Sequence, residues 1–401
     1  MSSAPVNVAL LGAGGFATTA HLPAIAATGT LHLVAVYSRS ASSADSLVKA
    51  SKKYTRTSHD LDVYSDDSGS GRNLDALLER KDIDTVVLAL PIATQPAIIE
   101  KAWRAGKNVI SEKPTAPSVK EARRLLSLLE GGSLPSSSGP RPRWFVAEQF
   151  PYTPSFDRAA RLVRSGRIGR VQSFNVEIYI QIPKPEGDNN WRKVPDYQGG
   201  FLLDGGVHFA AALRHILPSP LVSLSANTRQ LQPYLPPIDT LQALASCEDG
   251  TTGTVSISFG LRKPSEDKRY IFRGERGTVE IDFSDSRTHV VRLVSMPEPA
   301  PPKAENGTDS CDEEPEEPHR LEMEFPAQVG VENEFEAFGK ALASASAAAG
   351  SSETAEVLRR CGPRATLRDL AFIEGAIRSS EEKRTVSLKD LVGEDLWDLA
   401  A

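Results

Sequence analysis

The first strand-like run of the chain, Val6 to Leu11, feeds without a spacer into Gly12-Ala13-Gly14-Gly15-Phe16-Ala17, and a helix-like stretch, Ala17 to Ala27, follows at once. Few folds need a glycine-rich turn between a buried strand and a helix start. In a dinucleotide-binding unit the first glycine permits the tight turn, the second lets a pyrophosphate approach the backbone, and a small residue at the position of Ala17 lets the helix pack close on the strand. The helix N-terminus then faces the anion. The alternative is a plain tight turn in an unliganded α/β domain.

The pattern continues through Leu31 to Ser38, the apolar run Leu74 to Leu78, Thr85 to Leu90, helical Gln95 to Ala105, Asn108 to Ser111, helical Val119 to Leu129, and Trp144 to Ala147. Strand runs separated by helices predict a parallel sheet. The unbroken run Val86-Val87-Leu88-Ala89-Leu90 reads as a strand buried on both faces, under helices placed by right-handed crossovers. Residues 1–149 are therefore expected to form a doubly wound dinucleotide-binding domain. Ser65 to Asn73 and Gly131 to Arg143, polar and rich in glycine or proline, read as exposed insertions.

Beyond Phe150 a helical Ser155 to Arg164 is followed by β-rich segments at Val171 to Ile182, Leu221 to Thr228, Thr240 to Cys247, Thr251 to Phe259, Tyr270 to Phe283 and His289 to Val294. Strands in succession without helices between them predict an α+β domain, residues 150–401, with a large and mostly antiparallel open sheet. Thr252, Thr254, Ser256 and Ser258 alternate with Gly253, Val255, Ile257 and Phe259, giving one hydroxyl-rich and one apolar face. Such a sheet packs on a partner subunit, as in a homodimer, or under a helix. Residues 297–318, rich in proline and glutamate, are expected to be a disordered acidic insertion. Ala341 to Glu356 reads as helical at first and then frayed, and Ala365 to Arg378 as an amphipathic helix on Leu367, Leu370, Ile373 and Ile377.

Composition narrows the partners. A chain of 401 residues, 40% hydrophobic and 24% charged, can bury a large core, and its net charge of -6 gives no attraction to nucleic acid or an anionic membrane. A small-molecule ligand is the better expectation. Cys247, Cys311 and Cys361 fit neither a disulfide framework nor a zinc site, which points to a reducing compartment. With no secretory signal or membrane-length apolar run, the expected location is cytoplasmic, and the sequon at Asn306 is read as chance.

The second strand ends Val36-Tyr37-Ser38-Arg39-Ser40, where an NAD-binding chain would carry an acidic residue. A guanidinium between hydroxyls suits a 2′-phosphate, so NADP(H) is expected over NAD(H), with a solvated loop arginine as the alternative. Leu90, Pro91 and Glu112 complete the expected cofactor contacts, beside Gly12, Gly14, Gly15, Phe16 and Ala17.

Two further stretches carry proton chemistry. Glu112-Lys113-Pro114 follows a short strand at a carboxyl end of the sheet, where Lys113 can stabilise a developing alkoxide; a surface ion pair is the bland alternative. Asp204 and His208 stand one turn apart in a helix-like run from Phe201 to Ile216, so histidine can act as general base with an aspartate to orient it. Gly205 and Gly206 between them cost a helix about 1 kcal/mol each, which implies that a ligand or another backbone comes close. A helix-capping aspartate beside a satisfied histidine is the alternative; without a third ligand at suitable spacing, no metal is expected.

Together with Ala147-Glu148-Gln149-Phe150, Trp191-Arg192 and Gly199-Gly200-Phe201-Leu202-Leu203 leading into Asp204, these motifs resemble the Gfo/Idh/MocA family of oxidoreductases over nearly the whole chain. The resemblance implies a Rossmann domain joined to an α/β domain with an open sheet, and activity on sugars, inositols, polyols or diols, commonly as dimers or tetramers. By position, Lys113 matches the motif lysine that contacts substrate and cofactor, and Asp204 and His208 match the acidic and basic pair of the polyol dehydrogenases. The resemblance also implies a cofactor contact near the nicotinamide at Gln149, which stands where asparagine is common. The expected mechanism has His208 remove a hydroxyl proton, Lys113 hold the oxygen and Asp204 tune the pair, with Tyr152, Trp191 and Arg192 as the substrate wall. Aromatic dihydrodiols and dicarbonyls are further candidate substrates. The rival reading is a regulator that senses NADP(H) without turnover.

Overall fold

Val86, Val87 and Leu88 are fully buried, as an apolar run between two helical layers requires. The structure is a computed structural model that describes residues 4–54, 60–132, 134, 141–184, 192–261, 267–297, 317–344 and 352–398. Strands β1 (Val6–Leu11), β2 (Leu31–Ser38), β3 (Asp62–Ser65), β4 (Thr85–Leu88), β5 (Asn108–Glu112) and β6 (Trp144–Ala147) form a parallel sheet in the order β3-β2-β1-β4-β5-β6. Helices α1 (Leu22–Ala27), α2 (Ala41–Ser51), α3 (Leu74–Glu79), α4 (Gln95–Arg104) and α5 (Val119–Glu130) make the crossovers. The strand order reverses between β1 and β4, and a crevice opens at such a switch point outside the carboxyl ends of the strands.

Local chemistry explains the element boundaries, including two that the sequence reading misses. The Ser118 hydroxyl accepts the N–H of Glu121 and starts α5. Leu74, Leu77 and Leu78 are buried at helical spacing, so that apolar run is α3. The third strand is Asp62–Ser65, an edge strand too polar and short to declare itself. Residues 66–72, expected as an exposed insertion, form exposed turns.

The second sheet runs β14-β13-β12-β11-β7-β10-β9-β8-β15. Its strands are β7 (Val171–Tyr179), β8 (Leu221–Arg229), β9 (Thr240–Cys247), β10 (Thr252–Ser258), β11 (Asp267–Gly274), β12 (Gly277–Asp282), β13 (Thr288–Ser295), β14 (His319–Pro326) and β15 (Val386–Ser387). Every pairing is antiparallel except β7 with β10. Tyr270 to Phe283 is thus not one segment but parts of β11 and β12, joined by a tight turn at Glu275-Arg276. Edge strand β14 escapes sequence reading because its apolar residues are only half-buried. Val255 and Ile257 face the core, while Thr252, Thr254, Gln242 and Leu244 lie on the open face. Residues 298–316, most of the expected acidic insertion, lie outside the described residues, as do residues 135–140 of the other expected loop.

Helices α6 (Pro154–Arg164), α7 (Gly200–Ile216), α8 (Gly330–Ala343), α9 (Ser352–Cys361), α10 (Pro363–Glu382), α11 (Leu388–Val392) and α12 (Glu394–Trp397) complete the chain. Helix α6 covers β12 and β13, and α10 covers β8. Helices α8 and α9 instead turn back onto the parallel sheet, where Phe335, Phe338, Val357 and Cys361 share a core with Val8, Leu10, Ile25 and Phe145. The dinucleotide-binding unit is therefore completed by chain from far beyond residue 149. Helix α10 touches both units: Glu374 accepts the N–H of Val119 at 2.8 Å, and Ser379 and Ser380 accept the N–H groups of Ala226 and Thr228. Cys247 and Cys361 are free and buried.

One buried ion pair locks α7 to α10. Arg214 donates to both carboxylate oxygens of Asp369, at 2.7 and 2.8 Å, and its remaining donors reach the carbonyls of Arg359 and Arg360. Removing one member leaves a buried charge uncompensated, which costs about 3–5 kcal/mol, whereas an apolar replacement of the whole pair is far less damaging. We expect Arg214→Met to lose about 3–5 kcal/mol of stability in urea unfolding, and Arg214→Met with Asp369→Leu to recover most of it.

Candidate active site

A cavity of about 440 Å³ lies outside the carboxyl ends of β1, β2, β4 and β5, and its walls collect most of the expected residues. Gly12, Gly14, Gly15, Phe16 and Ala17 form one wall, with Ser38 and Arg39 beyond β2, Leu90 and Pro91 beyond β4, and Glu112 and Lys113 at the end of β5. Arg192, Asp204 and His208 enter from the other side, the last two on α7. Lys113 and His208 thus meet in one cleft.

The glycine loop has the shape its spacing predicts. Gly12 sits at φ +110°, and a Cβ there would stand 2.2 Å from the carbonyl oxygen of Ala89. At Gly14 and Gly15 an added Cβ would meet nothing within 4 Å, so the backbone borders open space on the cavity side. That bare cradle fits a dinucleotide pyrophosphate. Ala17 is buried and opens a π-helical turn, Ala17–His21, before α1.

Several expected residues play other parts. Ser40 does not line the cavity: its hydroxyl caps α2 by accepting the N–H of Ser43, and Ser43 takes the place on the wall. Gln149 lies half-buried at the domain junction, off the cavity wall. Tyr152 is also off the wall, buried at 9% exposure between the ring of Phe338 and the guanidinium of Arg360. Its aromatic body serves the core because the chain turns inward after β6. Trp191 lies outside the described residues. Gly205 and Gly206 leave room for side chains and not for a ligand: a Cβ at Gly205 would stand 2.8 Å from the Phe259 ring, and one at Gly206 would stand 3.0 Å from Ile373.

Asp204 binds two cations. Lys113 Nζ donates to its carboxylate at 2.9 Å and to its carbonyl oxygen at 2.8 Å, and Arg192 Nε donates to the second carboxylate oxygen at 2.7 Å. Burial alone would raise the Asp204 carboxyl, but Lys113 and Arg192 outweigh it and hold it at about 2. Burial likewise works against the charged form of Lys113, and the charges of Asp204 and Glu112 overcome it and push its pKa up. Lys113 is therefore an ammonium at neutral pH, suited to holding an oxygen and not to accepting a proton from it.

His208 is held by a different carboxylate. Its Nδ1 lies 2.9 and 2.8 Å from the two oxygens of Glu148, one residue past β6, and the ring of Phe150 stacks on the imidazole at 5.0 Å. Beneath the glycine loop His21 Nε2 lies 2.5 Å from Glu112 Oε1. Glu148 and His21 are the groups that sequence reasoning passes over. Glu148 is signalled by its place in the Ala147-Glu148-Gln149-Phe150 stretch, one residue past a strand's carboxyl end, and His21 only by its position four residues past Ala17 in a helix.

The Asp204 pairing has a consequence in acid. A carboxyl held below its unfolded value of about 4 stabilises the fold above that pH and loses the contribution as pH falls toward 2, a change of about 2 kcal/mol. Urea unfolding at pH 4, 3 and 2 is expected to show a shallower loss of stability in Asp204→Asn than in the unaltered chain; equal slopes would exclude Asp204 from the acid response.

Residues 6–135 match the oxidoreductase family with an NAD-binding Rossmann fold, and residues 156–280 match the GFO/IDH/MocA C-terminal domain. The chain is 37% identical over 385 residues to Dehydrogenase FPY6 of Fusarium mangiferae, covering 94% of this chain and 96% of that one. It is 30% identical to the dTDP-3,4-didehydro-2,6-dideoxy-alpha-D-glucose 3-reductase of Saccharopolyspora spinosa, over 69% of this chain and 75% of that one. Among solved structures, the 3-ketoreductase KijD10 of Actinomadura kijaniata in complex with NADP and TDP-benzene shares the fold, with a TM-score of 0.68 at 21% identity over 94% of this chain and 98% of that one. Two matched domains in the expected order, and a relative alike over nearly its whole length, make this chain a member of the Gfo/Idh/MocA family of oxidoreductases.

Proposed function

We propose that the chain is an NADP(H)-dependent oxidoreductase that acts on a CH–OH group of a sugar, polyol or diol, or on the corresponding carbonyl. The observation that carries this reading is that a charged Lys113 and an imidazole, His208, line the same cavity as the glycine loop. The sugar 3-reductase from Saccharopolyspora spinosa supports the substrate class, and the NADP complex of KijD10 supports the cofactor.

A bound nicotinamide dinucleotide supplies the hydride acceptor for oxidation and the donor for reduction. The chain's own residues handle the oxygen and its proton. Lys113 has given two N–H bonds to Asp204, which leaves its third ammonium proton for a substrate oxygen. As the carbinol loses its hydroxyl proton to His208, negative charge grows on the oxygen, and the ammonium stabilises it without giving up its own proton. In reduction the imidazolium returns the proton to the oxygen. Arg192 borders the cavity and orients a polar substrate group.

Arg39 is exposed on the cavity wall, and Asp66 and Asp67 beside its strand are engaged, by the Tyr37 hydroxyl and by the N–H of Ala41. That arrangement leaves the guanidinium available for a 2′-phosphate.

Turnover of NADP(H) against a panel of aldoses, polyols, dihydrodiols and dicarbonyls tests the activity. Lys113→Ala is expected to lower kcat about 10²-fold or more with NADPH binding retained; wild-type turnover in that variant would exclude the lysine from the chemistry. Fluorescence titration of Arg39→Asp is expected to weaken NADPH by about tenfold or more and to spare NADH; an unchanged preference would show that the 2′-phosphate is read elsewhere.

A further inference from the structure

Asp204 lies one helical turn from His208, yet both of its carboxylate oxygens are engaged by cations, one by Lys113 and one by Arg192. The group that faces the imidazole is on another element. We infer that Glu148 is the positioning residue that fixes the tautomer of His208, with the proton on Nδ1 and the lone pair of Nε2 turned toward the cavity. This rests on the reading of His208 as the acid-base group.

The geometry leaves little choice of donor and acceptor. Both Glu148 oxygens lie within 2.9 Å of Nδ1, and a carboxylate only accepts, so Nδ1 donates. Among the described residues nothing else bonds either ring nitrogen. The carboxylate is itself held in place: the N–H of Phe150 donates to Oε1 at 3.1 Å, and the side chain is nearly closed to solvent. Its backbone is tied too, since the Cys361 thiol donates to the Glu148 carbonyl oxygen at 3.2 Å. Burial, with Glu334 and Glu148 nearby, pushes that thiol well above its usual range, so it remains a donor. Phe150 fixes the plane of the ring, stacked on His208 at 5.0 Å and itself stacked on Phe156 at 5.0 Å.

Glu334 on α8 is fully buried near Glu148 and Glu112, and burial together with those two carboxylates drives its own carboxyl far above the usual range. It is thus an uncharged acid, and the charge that meets His208 from behind is that of Glu148. When Nε2 takes the hydroxyl proton of the substrate, the positive charge spreads over the ring and is met at Nδ1 by the carboxylate. Glu148 takes no proton in that step, and the reverse reaction returns the Nε2 proton to the oxygen.

The test reads the tautomer directly. Long-range proton–nitrogen spectra of the ¹⁵N-labelled full chain at alkaline pH report which ring nitrogen of His208 carries hydrogen, with the signal assigned by its loss in His208→Asn. The unaltered chain and Asp204→Asn are expected to show protonation at Nδ1 alone. Glu148→Met is expected to lose that preference and give a mixture. Glu148→Gln, which keeps an acceptor oxygen, is expected to retain Nδ1–H and the fold, while kcat on a carbinol falls about 10²-fold or more and KM holds, because the charge that stabilises the imidazolium is gone. Nε2–H in the unaltered chain, a changed tautomer in Asp204→Asn, or an unchanged one in folded Glu148→Met would overturn the inference. The spectra need no substrate, so a panel without turnover would count against the proposed activity alone.

Discussion

A carboxylate at 4% side-chain exposure is expensive to ionise, and the cleft is organised around making Asp204 ionise all the same. Its two oxygens take an ammonium from the end of β5 and a guanidinium from the segment that leads into α7. One contact therefore ties the parallel sheet to helix α7 and fixes the amine of Lys113 at the cavity. Both members gain from it: the cations hold Asp204 charged, and Asp204 keeps Lys113 charged against the burial that would strip its proton. Breaking the pair would release both side chains and both protonation states at once.

The parallel sheet supplies the rest of the geometry by a rule of direction. Its strands run the same way, so every carboxyl end opens on one edge, and residues a hundred positions apart in sequence become neighbours there. Glu112 pairs in register with Ala147, which places Lys113 and Glu148 on adjacent strand exits. The second domain then needs to contribute only one helix, and α7 brings Asp204 and His208 on a single face. The close approach of that helix is set by packing: glycines at 205 and 206 admit Phe259 and Ile373.

Patterns that repeat within a short window were legible in the sequence. The buried runs, the glycine loop, the lysine at a strand exit and the Asp204-to-His208 spacing each show in a dozen residues or fewer, and the structure brings Lys113, Asp204 and His208 to one cavity. What escaped was decided by the third dimension. Tyr152 looked like a substrate contact but turns toward Phe338 and Arg360, which arrive from beyond residue 330. Ser40 looked like a phosphate ligand but is spent on capping α2. The return of α8 and α9 to the parallel sheet has no local signature, because a helix's apolar stripe does not say which surface it will cover. The pairing of His208 was misassigned for the same reason: helical spacing proposes Asp204 as its neighbour and cannot see a carboxylate that comes from another strand.

That misassignment points to a division of labour. A single carboxylate serving both Lys113 and His208 would couple the two, since each proton gained by the imidazole would weaken the hold on the amine. With separate partners the demands do not conflict. Asp204 faces permanent cations and keeps a fixed charge, as its carboxyl at about 2 requires. Glu148 faces the Nδ1 side of the His208 imidazole, with Glu334, which burial keeps uncharged, close by. Under the proposed reaction, the charge that holds the oxygen would stay constant while the proton moves, as oxidation and reduction at one site both require.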